Sequence, residues 1–259
     1  MSSRVRALMV CSVLVVALLA AAAFAPLPFT LAYPGSTANV LGADKGKQVI
    51  TISGVPTRET SGQMRMTAIV ATGPKVSAHF TDVVKGWFAS DQAVMPRDSV
   101  YPVGDNEQQV AEHNMRDMRQ SQSTATQAAL AYLGDRAKGA KVDMRLEKIG
   151  GPSAGLMFAL GVVDKVAGDG RGKDLTGGRT IAGTGAITPD GKVGVVGGVA
   201  LKIQAAGRDG ASVFLVPKGE CADAEAGRPD GVRLIPVTTL AGAVDALKAL
   251  NAGGKVPSC

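Results

Sequence analysis

Histidine is nearly missing from this chain: only His79 and His113 occur among 259 residues. Two imidazoles rule out most zinc sites and restrict any Ser-His-Asp triad severely. Cysteine is almost as scarce, and Cys11, Cys221 and Cys259 form no C-x-x-C pair; no metal site is expected. Aromatic residues amount to 4%, fewer than a protein that stacks on nucleic-acid bases normally carries. Charged residues reach 19%, against about 25% in an average globular chain, yet the polar signature of a disordered chain is absent. Phosphate loops are missing as well. Neither 42–47 nor 168–173 gives G-x-x-x-x-G-K followed by Ser or Thr, and Gly183-x-Gly185 lacks the third glycine of a dinucleotide loop. No nucleotide and no cofactor is expected, and any catalysis should run without ATP.

What the chain does have is apolar mass and glycine. Apolar residues make up 46%, enough for a sizeable core, and Gly accounts for 33 positions, so tight turns should be frequent. The formal charge of +6 is spread along the chain without a dense Lys/Arg stripe. It implies weak attraction to anionic surfaces, not nucleic-acid recognition.

Residues 7–25, ALMVCSVLVVALLAAAAFA, contain no charge. As a helix they span about 28 Å, close to the roughly 30 Å of bilayer hydrocarbon. Arg4 and Arg6 on the N-terminal flank favour an N-in orientation with the remainder outside the cytoplasm. This predicts a cytoplasmic tail at 1–6 and a single-pass anchor at 7–25 in the cell membrane. A cleaved signal peptide is the alternative, since Ala23-Phe24-Ala25 resembles a cleavage site, although Pro26 follows it directly. Outside the cytoplasm Cys221 and Cys259 can pair, or stay as two separate thiols.

Residues 26–47 are rich in Pro and Gly and read as a connector. Strands are predicted at 48–53 and 64–70, a short helix at 81–88 and a long one at 107–133, ended by Gly134. The second half alternates: strand 142–146, the turn IGGPSAG, helix 154–167, loop 168–178, strands 180–187 and 192–196 around Pro189-Asp190-Gly191, helix 199–208, strand 212–216, helix 220–225, strand 232–237 and helix 239–250. That pattern is α/β or α+β with a mixed sheet.

Gly151-Pro152-Ser153-Ala154-Gly155 fits G-x-S-x-G in a strand–turn–helix setting, which exposes a serine hydroxyl beside helix N-terminal amides. An α/β-hydrolase needs a later histidine, and none follows Ser153. The plain alternative is a glycine-rich start of a helix with a capping serine. If Ser153 is a nucleophile, a lysine made neutral by burial can take its proton. Of the seven lysines that follow, Lys202 has the most apolar surroundings, with Gly197 and Gly198 before it and Val199, Leu201, Ile203 and Ala206 around it. Its plain alternative is a snorkelling surface lysine.

Taken together, GGPSAGLMFAL, GTGAITPDGKVGVVGGVALKIQAA and GASVFLVPKGECADA resemble the proteolytic domain of the Lon family over about 140–250. The anchor, YPGSTANVLG, ITISGVPTRETSG, AVMPRDSVYP and MRQSQSTATQAALAYLG are similar to the membrane-anchored YlbL-type branch. The resemblance implies an α+β fold: a Lon-type proteolytic domain at 135–250, with flanking helices on a mixed sheet, after a small α/β region at 26–134. Residues 251–259 form a tail. It implies Ser153 as nucleophile, Lys202 as general base and acid, and Thr184 orienting the lysine. Amides around Gly151, Pro152 and Ala154 serve as an oxyanion hole. The implied activity is an ATP-independent serine endopeptidase acting on flexible or unfolded polypeptides, with a homo-oligomer, a hexameric ring, as the implied assembly. One feature departs from the branch: only Gly134 to Lys141 separate the long helix from the protease segment, too few for a PDZ module, so substrate selection by that module is not carried over. A signal-peptidase-like enzyme is a further alternative, and so is a non-catalytic membrane-tethered binding module that retains the fold.

Overall fold

The computed structural model describes every residue except 1, 105 and 147–150. Part of the IGGPSAG turn, residues 149 and 150, therefore lies outside the described residues. The chain opens with helix α1 (Ser3–Phe24), then strands β1 (Phe29–Asn39), β2 (Ala43–Asp44), β3 (Lys47–Gln48), β4 (Ile50–Ser53) and β5 (Gln63–Ala71). Helix α2 (Phe80–Phe88), strand β6 (Ala93–Pro96) and helix α3 (Arg97–Val100) lead to the long α4 (Glu107–Leu133). Next come β7 (Lys141–Met144), α5 (Gly155–Val166), β8 (Thr180–Gly183), β9 (Ala186–Ile187), β10 (Val193–Gly194) and α6 (Val199–Arg208). The chain finishes with β11 (Val213–Pro217), α7 (Cys221–Ala226), β12 (Arg233–Val237) and α8 (Leu240–Asn251).

Two compact units result, residues 1–33 with 71–110 and residues 34–70 with 111–259. They do not coincide with a linear division at 134/135. Residues 34–70 group with the C-terminal half because β5 pairs in parallel with β8, Met64 opposite Ile181 and Met66 opposite Gly183. In addition, β4 pairs antiparallel with β7. The expected connector at 26–47 also proves to hold β1 and the β2–β3 pair. Pro34 and Gly35 hid β1, because both residues normally argue against a strand interior.

In the larger unit the strand order is β12-β11-β8-β5-β1, with β5, β8, β11 and β12 mutually parallel. A parallel sheet covered on both faces needs apolar side chains on both, and all five residues of β11 are buried. Alternation then sorts them. Val213 and Leu215 join the core formed with α5 and α8. Phe214 and Val216 join a second core with Val199, Ile203 and Ala206 of α6 and Ala224 of α7, since successive strand side chains point to opposite faces. Helix α5 is apolar almost all round, and Leu156 through Leu160 are fully buried; such a helix is stable only at the centre of a core. Cys221 at the start of α7 is disulfide-bonded to Cys259, with Cα atoms 5.5 Å apart.

The smaller unit begins with α1, none of whose residues is buried and which is long and apolar enough to cross a membrane. Just after it, Leu27 N–H donates to Ala78 O at 2.8 Å. The first residues of β1 pair antiparallel with β6, from Phe29 opposite Pro96 to Ala32 opposite Ala93. Helix α2 is started by a capping box in which His79 N–H donates to Asp82 Oδ2 at 3.0 Å.

Asp164, near the end of α5, is 0% exposed. Its Oδ1 accepts from Leu175 N–H at 2.8 Å, and Oδ2 has no partner among the described residues. Burial pushes this carboxyl up to about 6, against the Leu175 hydrogen bond and with help from nearby Asp174. A carboxyl raised in the folded state favours folding below its unfolded pKa and loses that contribution as pH climbs through its folded value. The stability of the wild type relative to Asp164→Asn is therefore expected to fall by about 2–3 kcal/mol between pH 4 and pH 7, measured by urea denaturation at each pH.

Candidate active site

Ser153 sits half-buried in a single 3-10 turn, Pro152–Ala154, that runs directly into α5. The turn is entered through Gly151 at φ +104°, a conformation open to glycine and strained for other residues. Helix α4 holds the turn from one side: Gly151 N–H donates to Asn114 O at 3.4 Å, and Ser121 Oγ donates to Pro152 O at 3.2 Å. From the other side, Ser153 O accepts twice, from Gly185 N–H at 2.9 Å and from Thr184 Oγ1 at 3.2 Å. Leu156 N–H completes the clamp by donating to Gly185 O at 3.1 Å.

This clamp explains why the strand expected at 180–187 is interrupted. β8 stops at Gly183 and β9 starts at Ala186. Between them Thr184 N–H still donates to Leu215 O on β11 at 3.1 Å, while Gly185 turns to the serine segment. Thr184 is 0% exposed. Its one proton goes to the Ser153 carbonyl, which leaves its lone pairs to accept from another donor. β9 then pairs with β10 across the Pro189-Asp190-Gly191 turn, Ile187 opposite Val193.

Lys202 lies on α6, one turn in, where its N–H donates to Gly198 O at 3.0 Å. Gly198 opens the helix at φ +71°, and a Cβ there would come within 2.9 Å of Ile69 Cγ2; the position needs glycine on both counts. The lysine is 4% exposed, flanked in sequence by the buried Leu201 and Ile203. Burial lowers its ammonium to about 8, and the charge of Glu220 works in the opposite direction. Glu220 is itself buried and accepts from Val196 N–H at 3.0 Å, which ties it to the segment leading into α6. Desolvation raises its carboxyl above the ordinary range. Among the described residues no hydrogen bond joins Lys202 Nζ to Ser153 Oγ or to Thr184 Oγ1. Catalytic hydrogen bonds in ligand-free sites are often long and tighten with substrate.

Of the amides expected around the serine, two are not available to a ligand. Pro152 has no N–H, and Gly151 N–H is engaged by Asn114 O. The donors left at the start of the helix are those of Ser153 and Ala154, where an N-terminal turn lacks intrahelical acceptors. Among the described residues no group of three or more His, Cys, Asp or Glu side chains is placed to hold a metal ion.

Sequence reasoning did not single out Asn114, Ser121 or Gly185, and it gave Glu220 no role. Ser121 did carry a signal. It is buried on α4 with Met118, Ala125 and Ala128, and a hydroxyl on an apolar stripe must find a partner. Asn114 and Gly185 act through their backbone, which leaves no trace in side-chain pattern.

Residues 122–244 match the family model of the Lon protease (S16) C-terminal proteolytic domain. The match spans Ser153, Thr184, Lys202 and Glu220 and supports a serine peptidase of Lon-like type acting on polypeptides. The mixed sheet with its flanking helices fits that domain.

Thr184→Val keeps the side-chain shape but removes the hydroxyl. It is expected to lower the unfolding free energy by about 1 kcal/mol in a urea titration, while Thr184→Ser retains most of the stability.

Proposed function

We propose that this chain is a membrane-anchored, ATP-independent serine endopeptidase that works outside the cytoplasm with Ser153 and Lys202 as its dyad. The observation that carries the reading is the lysine: it is 4% exposed and its ammonium is lowered to about 8 by burial, in a chain whose residues 122–244 match a serine-protease domain. A neutral amine is what a serine hydroxyl needs as base when no histidine follows it. Anchoring rests on α1, by length and composition, and the side of the membrane on the basic N-terminal flank. By resemblance to other Lon-like domains, the proposal extends to a homo-oligomeric ring, and the short link between α4 and β7 to the absence of a PDZ module.

The chemistry follows. Lys202 Nζ takes the proton of Ser153 Oγ as that oxygen attacks the scissile carbonyl carbon. The carbonyl π pair moves to oxygen, where the Ser153 and Ala154 N–H groups stabilise it. The C–N bond then breaks, the ammonium of Lys202 protonates the departing amine, and an acyl ester remains on Ser153. Water attacks the ester, giving its proton to Lys202; the carboxylic product leaves and the proton returns to Ser153. The double clamp on the Ser153 carbonyl keeps the turn fixed through both steps. Thr184 Oγ1, with its lone pairs free, is the acceptor assigned to the lysine ammonium.

The test is cleavage of an unfolded protein such as casein by the full chain in neutral detergent micelles. Ser153→Ala and Lys202→Ala are expected to reduce it to background, with folding checked by thermal melting; equal cleavage by all three proteins would sink the dyad. Because the base must be neutral, kcat/KM is expected to rise about tenfold per pH unit below the transition and to level off above about pH 8. Glu220→Gln removes a charge that favours the ammonium, so its midpoint should move to lower pH; an unmoved midpoint would assign the titration to another group.

A further inference from the structure

Helix α2 presents an apolar stripe outward. At 100° per residue Phe80, Val84, Trp87 and Phe88 fall within an arc of about 100°. The inward side is Val83 and Gly86, both buried. Exposure on the stripe is high: 54% for Phe80, 74% for Trp87 and 87% for Phe88. Trp87 is the only tryptophan in the chain. Three large aromatic residues on one open helix face mark an interaction surface.

The same compact unit shows what that surface meets. Leaving α1, Leu27 forms a bridge with Ala78 through its N–H at 2.8 Å. Ala78 lies two residues before the start of α2, so the backbone ties the beginning of α2 to the end of α1, and the two helices touch. Phe24, the last residue of α1, is 79% exposed. If α1 spans the bilayer, Phe24 is at hydrocarbon's edge and α2 starts at the same level. Tryptophan and phenylalanine on an amphipathic helix at that depth enter the headgroup region with the ring apolar and the indole N–H wet. A second copy of the chain is a poor occupant, because α2 is only about 14 Å long and its stripe falls well short of the roughly 800 Å² per partner that stable complexes bury.

We propose that α2 is an interfacial helix that docks on the bilayer through Phe80, Val84, Trp87 and Phe88, giving the smaller unit a second membrane contact beside α1. This inference rests on α1 being the anchor.

Trp87 is its own reporter. The full chain is reconstituted into phosphatidylcholine vesicles with acyl chains brominated either near the headgroup or near the terminal methyl, and vesicle flotation is recorded on the same samples. Expected are flotation, a blue-shifted Trp87 emission relative to the denatured chain, and stronger quenching by the shallow bromines than by the deep ones. In Phe80→Ser/Phe88→Ser, which leaves Trp87 and α1 intact, the chain still floats but the emission returns towards that of a water-exposed indole. Flotation with unquenched, red emission would overturn the docking of α2 while leaving the anchor standing. Blue emission without bromine quenching would mean that a protein surface covers Trp87, and would overturn it equally. A chain that does not float removes the anchor and the inference with it.

Discussion

An ammonium group taken out of water is costly, and at Lys202 the fold bears that cost. Several kcal/mol oppose burying such a charge without full compensation, so the surroundings must be fixed by packing that the lysine does not supply. Here α6 is held by the core it shares with β8, β11 and α7, through Val199, Ile203, Ala182, Phe214 and Ala224. Its start is set by Gly198, and its approach segment by the bond from Val196 to Glu220. Of these elements, β8 and β11 are paired strands of the parallel sheet. Loosening that packing would hydrate Lys202 and raise its ammonium back toward its ordinary range.

The serine side shows the complementary solution. Ser153 stays half-buried while its backbone is held by hydrogen bonds. Four protein segments converge on one turn: α4 through Asn114 and Ser121, the β8–β9 break through Thr184 and Gly185, α5 through Leu156, and Gly151 through its own conformation. Breaking β8 gives up local sheet pairing, and the two hydrogen bonds to the Ser153 carbonyl replace what the strand gives up.

The two units differ in what holds them. In the larger one, two apolar cores lie on either face of parallel strands, and the orientation of each strand residue decides which core it joins. In the smaller one, short elements are pinned by backbone bonds and by Arg97, whose guanidinium donates to Pro74 O at 2.8 Å and Val76 O at 2.6 Å. That unit leaves Phe24, Phe80, Trp87 and Phe88 exposed, while Phe29, Tyr33 and Tyr101 are half-buried.

Much of this was legible in the residues alone. The apolar run of α1, the periodicity of α4 and α8, and the turn at Pro189-Asp190-Gly191 all follow from local pattern, because period, charge and glycine placement act over a few neighbours. Tertiary structure decided the rest. It joined residues 34–70 to the C-terminal half, since hydrogen-bonded pairing of distant strands has no local signature. It turned a Pro- and Gly-bearing connector into β1 and split one expected strand at Thr184. It engaged the Gly151 N–H with Asn114 O, and brought Glu220 into the electrostatics of Lys202. Sequence determines which groups want burial, exposure or a turn; only the packed chain determines which of them meet, because contact depends on distance in space while pattern records distance along the chain.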